Sequence, residues 1–108
     1  MRNVIMVAAI VISACSLEEN PQKIIMSAES RIDLPKGAGN INEYDRYYAV
    51  TDGWADGIWI RSGNKNGKII IVPRKNDLPY KADGSCGVIR VRLEITKGVW
   101  EKPFCHAL

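Results

Sequence analysis

An uninterrupted apolar run near the N-terminus constrains this chain more than any other feature. Val4–Ile12 carries no polar side chain, Arg2 is the only charged residue before it, and the small residues Ser13 and Ala14 follow it. A basic head, a short apolar stretch and a small-residue exit are typical of a secretory signal. The nine apolar residues are too few to cross a bilayer as a helix, which needs about 20. The sequence therefore predicts an export signal over residues 1–14.

The next residue suggests a lipid anchor. Ile12-Ser13-Ala14-Cys15 resembles the bacterial lipobox, in which a branched apolar residue and two small residues precede an invariant cysteine. The resemblance implies that the chain is cut before Cys15, which carries a diacylglyceryl thioether and an acylated N-terminus. Two or three acyl chains hold a protein to a membrane far more firmly than one. In Gram-negative lipoproteins an Asp after the cysteine favours the inner membrane, so Ser16 implies the outer membrane, facing the periplasm. The alternative is ordinary signal cleavage after Ala14, with Cys15 pairing elsewhere.

The three cysteines divide in a way that fits this interpretation. With Cys15 lipidated, Cys86 and Cys105 remain as an even pair in an exported chain, where disulfides form. A zinc site that uses both thiols and His106 is the rival, but it lacks the C-x-x-C spacing and a fourth ligand. The sequence predicts a signal peptide (1–14), a lipidated tether (15–22) and one small β-rich domain (23–108).

The mature chain begins with a helix signal and continues with strand signals. Asn20-Pro21 is suited to cap and start a helix, predicted from Pro21 to Ser30. Five later segments have the composition or alternation of strands: Tyr47–Thr51, Gly57–Arg61, Lys68–Val72, Val88–Thr96 and Val99–Phe104. We expect a mainly β fold, an antiparallel sheet of four to five strands with one short N-terminal helix. Gly57–Val72 is predicted to be a hairpin, with apolar Lys68–Val72 as a central strand.

The predicted disulfide sets a condition on the last strands. If Lys97-Gly98 forms a two-residue turn, Cys105 lies opposite Arg90, four residues from Cys86. Four residues of strand span about 13 Å, whereas a disulfide needs Cα atoms within about 7 Å. Either Cys86 therefore lies in a bend that folds back, or the last strand leaves the sheet.

Charge and histidine content exclude several function classes. The chain has 15 basic and 12 acidic residues, a net charge of +3, with no basic run. It lacks the basic stripe that nucleic-acid binding requires. His106 is the only histidine, and no partner is apparent that would orient it as a base. The sequence indicates no catalytic residue, metal or cofactor.

Two sets of residues remain as candidates for function. Trp59 and Arg61 alternate with the apolar Ile58 and Ile60, so we expect them on a wet face of the sheet. Together with Trp54 they form a possible binding surface, because Trp, Tyr and Arg are enriched at binding hot spots. A layout of lipid anchor, β-rich domain and disulfide is similar to small Gram-negative lipoproteins that inhibit lysozymes or support envelope assembly.

The second set consists of two carboxylates in a glycine-rich loop. Asp52 and Asp56 lie four residues apart on either side of Trp54, and two carboxylates beside an aromatic platform suit a saccharide. Asp-Gly pairs are also ordinary turn residues. The sequence thus predicts a non-catalytic, lipid-anchored envelope module that binds a protein or an envelope polymer. The alternative is a small anchored hydrolase that uses Asp52 and Asp56 on envelope saccharide.

Overall fold

The computed structural model describes residues 20–63, 66–81 and 85–106. The export signal, Cys15 and tether residues 16–19 lie outside the described residues. Within the described part the chain forms, in order, α1 (Pro21–Glu29), a 3-10 turn (Ile41–Glu43), β1 (Tyr44–Thr51), β2 (Trp54–Arg61), β3 (Ile69–Val72), a second 3-10 turn (Lys75–Asp77), β4 (Val88–Glu94), β5 (Val99–Trp100) and β6 (Phe104–Cys105).

One mixed sheet contains all six described strands. The strand order is β3-β1-β2-β4-β5, and β6 also pairs with β4. The predicted mainly β fold with one N-terminal helix is confirmed, but the sheet has six described strands and one parallel pair, where four to five antiparallel strands were expected. The predicted hairpin over Gly57–Val72 is wrong, because β3 pairs with β1, and in parallel orientation. Ile69–Val72 is also an edge strand, not a central one.

Helix α1 begins where the sequence predicts. The Asn20 side chain accepts a hydrogen bond from the backbone N–H of Lys23 at 3.0 Å, and Pro21 occupies the first turn. Proline is favoured there because its missing N–H has no helical acceptor. Ile25 and Ala28 are buried and pack α1 on the sheet. Among the described helices none is long and apolar enough to span a membrane.

The two faces of the sheet are packed differently. The inner face, covered by α1 and the following loop, carries the largest fully buried side chains, among them Tyr44, Tyr48 and Trp59. The outer face carries the alternate residues of β2 and β4, with Asp56 opposite Arg92 and Ile58 opposite Arg90. Although Ile58 lies on the outer face, its side chain is buried, with 1% exposed. The main core lies between α1 and the inner face.

A buried polar network fastens α1 to the inner face. One carboxylate oxygen of Glu29 accepts hydrogen bonds from Arg46 Nε at 3.0 Å and from the Tyr48 hydroxyl at 2.7 Å. The Tyr48 oxygen in turn accepts from Trp59 Nε1 at 2.9 Å. Arg46 also donates to the carbonyls of Ile41 and Tyr44, each at 3.1 Å. Buried charges are tolerated when their hydrogen bonds are satisfied in this way.

Burial changes the acidity of two groups in this network. Loss of solvent raises the pKa of Glu29 above its ordinary 4.5, although the hydrogen bonds from Tyr48 and Arg46 and the charge of Arg46 act in the opposite direction. Burial, together with the adjacent Glu29 carboxylate, holds the pKa of Tyr48 well above its ordinary 10. The helix therefore docks through groups whose protonation is linked to folding.

The last strands satisfy the disulfide condition through a bend and a shift in register. The chain turns at Ile95–Gly98, a longer turn than the predicted two residues, so that Leu93 pairs with Trp100. Cys105 lies opposite Ile89, not Arg90. Cys86 lies in a bend just before β4, and the two cysteine Cα atoms are 4.7 Å apart. The predicted disulfide Cys86–Cys105 is confirmed.

Candidate functional site

The outer face of β2 and β4 presents an ordered cluster of aromatic and charged side chains. Antiparallel pairing places Asp56 directly opposite Arg92 and Trp54 directly opposite Glu94. Directly opposed residues of an antiparallel pair have Cβ atoms about 5 Å apart, close enough for their side chains to interact. The pairing thus brings an indole, a carboxylate and a guanidinium together on one surface.

Arg92 is the centre of this cluster. Its guanidinium carbon lies 4.0 Å from the centroid of the Trp54 ring, within the range of a cation–π contact. Its Nε lies 3.0 Å from Asp56 Oδ1, and its Nη1 lies 3.6 Å from Glu101 Oε2. Lys75 Nζ approaches Asp56 at 3.9 Å. The Arg92–Asp56 contact is a charge contact only, since Arg92 Nε has no hydrogen-bond partner among the described residues. With 41% of the Arg92 side chain exposed, each ion pair adds at most about 1 kcal/mol.

Exposed aromatic residues extend the cluster toward β6. Phe104 pairs with Arg90 and is 56% exposed, and Tyr80 is 84% exposed. The Tyr80 ring meets His106 edge-on, with centroids 6.0 Å apart. A large aromatic side chain left this exposed loses the favourable burial that it would gain in a core. We call the whole set the outer patch: Trp54, Asp56, Lys75, Tyr80, Arg90, Arg92, Glu101, Phe104 and His106.

Of the three residues predicted to form a binding surface, only Trp54 lies in the outer patch. Trp59 is 0% exposed on the inner face, so the expectation that it is on a wet face is wrong. Alternation shows that Trp59 and Ile58 lie on opposite faces, but not which face the helix covers. The glycine at position 57, inside the strand, is the sequence feature that could have identified the covered face. A Cβ built at Gly57 would lie 2.7 Å from Tyr48 and 2.6 Å from Val91. Such a close approach marks the packed face.

Arg61 is also on the inner face, at its rim, where its contacts are structural. Its guanidinium donates to the Tyr44 hydroxyl oxygen at 3.0 Å and lies 3.5 Å from the Glu43 carboxylate. The same Tyr44 hydroxyl donates to the Cys86 carbonyl at 2.6 Å and accepts from the Gly39 N–H at 3.1 Å. Arg61 therefore helps to hold the loop before β1 against the disulfide and does not share a surface with Trp54.

The two candidate carboxylates have different surroundings. Asp52 is exposed in the turn between β1 and β2, with φ of 52° followed by Gly53 at 83°. Two central residues of positive φ are typical of a tight hairpin turn. Asp56 lies on the outer face between Arg92 and Lys75. The structure thus gives Asp52 a turn role and Asp56 an ion-pair role within the outer patch.

The remaining sequence candidates fall into structural roles. Cys86 and Cys105 are joined, so their sulfurs do not coordinate zinc together with His106. Across residues 20–63, 66–81 and 85–106, no three His, Cys, Asp or Glu side chains lie close enough to share a metal ion. Sequence reasoning missed Arg92, Phe104 and Tyr80, although the alternation of Val88–Glu94 does place Arg90 and Arg92 on the face opposite Ile89.

No protein-family model, curated protein or solved structure matches this chain. The function of the chain is therefore argued from the side chains of the outer patch.

Proposed function

We propose that this protein is a lipid-anchored, non-catalytic binding module of the bacterial cell envelope. In this proposal Cys15 carries the lipid and Ser16 directs the chain to the outer membrane, facing the periplasm, as the lipobox resemblance implies. The outer patch binds an envelope protein or polymer. The disulfide Cys86–Cys105 supports an oxidising compartment, because disulfides persist there and are rare in the cytosol.

The observation that carries the proposal is the stacked pair of Trp54 and Arg92 beside exposed aromatic rings. Aromatic residues and arginine dominate binding energy at protein interfaces, above all when neighbouring groups hold them in place. Asp56 and Glu101 both approach Arg92 and Trp54 lies against its guanidinium, so these contacts restrict the Arg92 side chain before a partner arrives. A restricted side chain loses less entropy on binding. Phe104 and Tyr80 add exposed apolar area to the same surface.

The alternative, an anchored hydrolase that uses Asp52 and Asp56, receives no specific support. Glycoside hydrolysis needs one carboxyl group that donates a proton and one that stays ionised, both facing the substrate. Asp56 instead faces two cations, and Asp52 lies in an exposed turn whose geometry explains it. Asp52→Asn tests this alternative, because Asn tolerates the same positive φ. An envelope phenotype that Asp52→Asn abolishes, with cross-linking to a partner unchanged, would favour the hydrolase.

Cross-linking in live cells tests the binding proposal. A photoreactive benzoylphenylalanine replaces Tyr80, which is 84% exposed in the outer patch, and in a control replaces Met26, 55% exposed on α1. We expect a cross-linked adduct from position 80, a much weaker one from position 26, and loss of the first on Trp54→Ala. Equal adducts from both positions, or an adduct that Trp54→Ala does not reduce, would contradict the proposal.

The lipid anchor has its own test. Cys15→Ser removes the thiol that lipidation requires, so we expect the protein to leave the membrane fraction and to lose labelling by a radioactive fatty acid. Membrane association that persists in the Cys15→Ser variant would contradict the anchor while leaving the outer patch as a candidate.

A further inference from the structure

A concave surface distinct from the outer patch lies along the edge of β5 that no described strand covers. This groove has a volume of about 660 Å³, within the range of about 300–1,000 Å³ usual for ligand sites. One wall is the loop Arg31–Lys36, and the other is the continuous stretch Gly98–Pro103. Gly98 lies in the turn with a φ of 65°, and the five residues after it span roughly 17 Å when extended, enough to lie beside a short peptide strand.

The wall formed by β5 has backbone hydrogen-bonding groups directed away from the sheet. Only alternate residues of an edge strand bond to their antiparallel neighbour. Glu101 does so, since its N–H donates to the Arg92 carbonyl at 2.8 Å. The preceding residue, Trp100, therefore directs its N–H and C=O away from β4, toward the open edge. An extended peptide could pair with these groups, as peptides do when they add a strand to a sheet.

The Trp100 side chain is fixed before any ligand arrives. Its Nε1–H donates to the Ala28 carbonyl at 2.9 Å, and its ring lies 6.5 Å from that of Tyr48, centroid to centroid. Trp100 is half-buried beside Leu34 and Pro35, which also line the groove. The groove therefore offers a rigid, partly apolar floor that requires little reorganisation.

The charges on the groove walls favour an anion. Arg31, Lys36 and Lys102 line it together with Asp33 and Glu101. The Glu101 carboxylate already lies near Arg92, on the outer patch. Among the described residues, neither Lys36 nor Lys102 forms an ion pair. The Arg31 guanidinium donates to the carbonyls of Ser27 and Gly98, so it lies across one end of the groove. A positive groove attracts acidic partners and selects against basic ones.

We propose that this groove binds an extended acidic peptide segment of a partner protein, which adds as a strand to the edge of β5. Alternate backbone groups of the peptide pair with Trp100, acidic side chains meet Lys36 and Lys102, and apolar side chains contact the floor. The proposal does not depend on the proposed lipid anchor. It does not require the proposed function of the outer patch, although Glu101 borders both surfaces.

The concave shape favours a peptide over an anionic lipid surface. A bilayer is flat on the scale of this groove and reaches only its rims, so it leaves the Trp100 edge unpaired. A peptide strand enters the groove and satisfies the edge. The two occupants differ in one measurable respect, because only the peptide uses backbone N–H groups.

Fluorescence anisotropy tests the proposal on the mature protein in non-ionic detergent. The probe is a fluorescein-labelled, end-blocked octapeptide of alternating glutamate and leucine. One comparison peptide replaces glutamate by lysine. Two others carry N-methyl groups on alternate residues, one at the odd and one at the even positions, so that each blocks one backbone edge. The variant is Lys36→Gln with Lys102→Gln. The matched control, Lys68→Gln with Lys81→Gln, removes the same charge from residues that do not line the groove.

We expect saturable binding of the acidic peptide and about a tenfold loss of affinity in the groove variant, since two partly exposed ion pairs together account for about that factor. The control variant changes affinity less than twofold. The lysine peptide does not bind, and N-methylation on the pairing edge abolishes binding.

Three results would overturn the proposal. The first is equal loss of affinity in the groove and control variants, which indicates attraction to net charge only. The second is full binding of both N-methylated peptides, which excludes strand addition. The third is no peptide binding together with groove-dependent binding to anionic phosphatidylglycerol vesicles, which assigns the groove to a lipid surface. Trp54→Ala leaves peptide affinity unchanged, so failure here is distinguishable from failure of the outer-patch proposal.

Discussion

The ion pair between Glu29 and Arg46 allows a quantitative test of how α1 is held. The two side chains are 4% and 11% exposed, and their atoms lie 3.0 Å apart. Removing one partner of a buried pair usually costs about 3–5 kcal/mol, because the other is left uncompensated. Glu29→Met deprives both Arg46 Nε and the Tyr48 hydroxyl of their acceptor.

For this pair we expect the lower end of the range of about 3–5 kcal/mol for losing one buried partner. Arg46 keeps the carbonyls of Ile41 and Tyr44 as acceptors, and a small part of its side chain still reaches solvent. We therefore expect Glu29→Met and Arg46→Met each to lower the free energy of unfolding by about 3 kcal/mol. Replacing a buried ion pair with apolar volume is often neutral by itself, but the double variant also leaves the Tyr48 hydroxyl and the Ile41 and Tyr44 carbonyls without these partners. We therefore expect it to lose about 2–4 kcal/mol, well below the sum of the single losses.

Urea denaturation followed by circular dichroism measures all four corners of this double-mutant cycle. A coupling energy of at least about 1.5 kcal/mol is expected for charges in contact. The control is Glu43→Gln, which breaks the half-exposed pair with Arg61 at 3.5 Å and should cost less than about 1 kcal/mol. Losses that add within about 0.5 kcal/mol would show that the two residues act independently, which would refute this account of helix docking.

Three further predictions concern stability. Because burial raises the pKa of Glu29 above its ordinary 4.5, the folded chain binds a proton on Glu29 more readily than the unfolded chain does. The stabilisation from this proton is complete below about pH 4.5 and is lost as pH rises through the folded pKa, above which Glu29 pairs with Arg46 as a carboxylate. Urea midpoints measured across this range should show that dependence in the native chain and not in Glu29→Gln. Replacing Cys86 and Cys105, 19 positions apart, with Ala should cost about 3 kcal/mol on the chain-entropy estimate, and an unchanged thermal midpoint would contradict it. Gly57→Ala places a Cβ against Tyr48 and Val91 and should cost about 1–3 kcal/mol, whereas Gly63→Ala, with nothing within 4 Å, should be nearly neutral in the same melts.

The parts of the fold that sequence predicts are those decided by local chemistry. Asn20-Pro21 specifies the helix start through a cap and a fixed φ. The alternation in Val88–Glu94 predicts both its strand and the division of its faces. The disulfide follows from counting cysteines, and the need for a bend at Cys86 follows from strand dimensions.

The wrong predictions concern contacts between distant parts of the chain. Ile69–Val72 is apolar on both sides, which is typical of a central strand, yet it lies at an edge. Ile69 packs in the inner core, and the parallel partner β1 lies more than 20 positions away. Local periodicity carries no information about which strand will pair with which. The same reason explains the error at Trp59, since the covered face depends on where α1 docks.

The parallel pairing of β1 with β3 has a consequence for the order in which the chain folds. The turn at Asp52-Gly53 joins β1 to β2 directly, whereas β3 and β4 attach to opposite sides of that hairpin. Both ends of the connection to β3 bond to residues just before β1, Ser62 N–H to the Glu43 carbonyl and Gly67 N–H to that of Asn42. These two hydrogen bonds can form only after the residues just before β1 are in place. We therefore expect the β1–β2 hairpin to form early and the edge strand β3 to join after it, because non-local pairing loses loop-closure entropy before its contacts compensate.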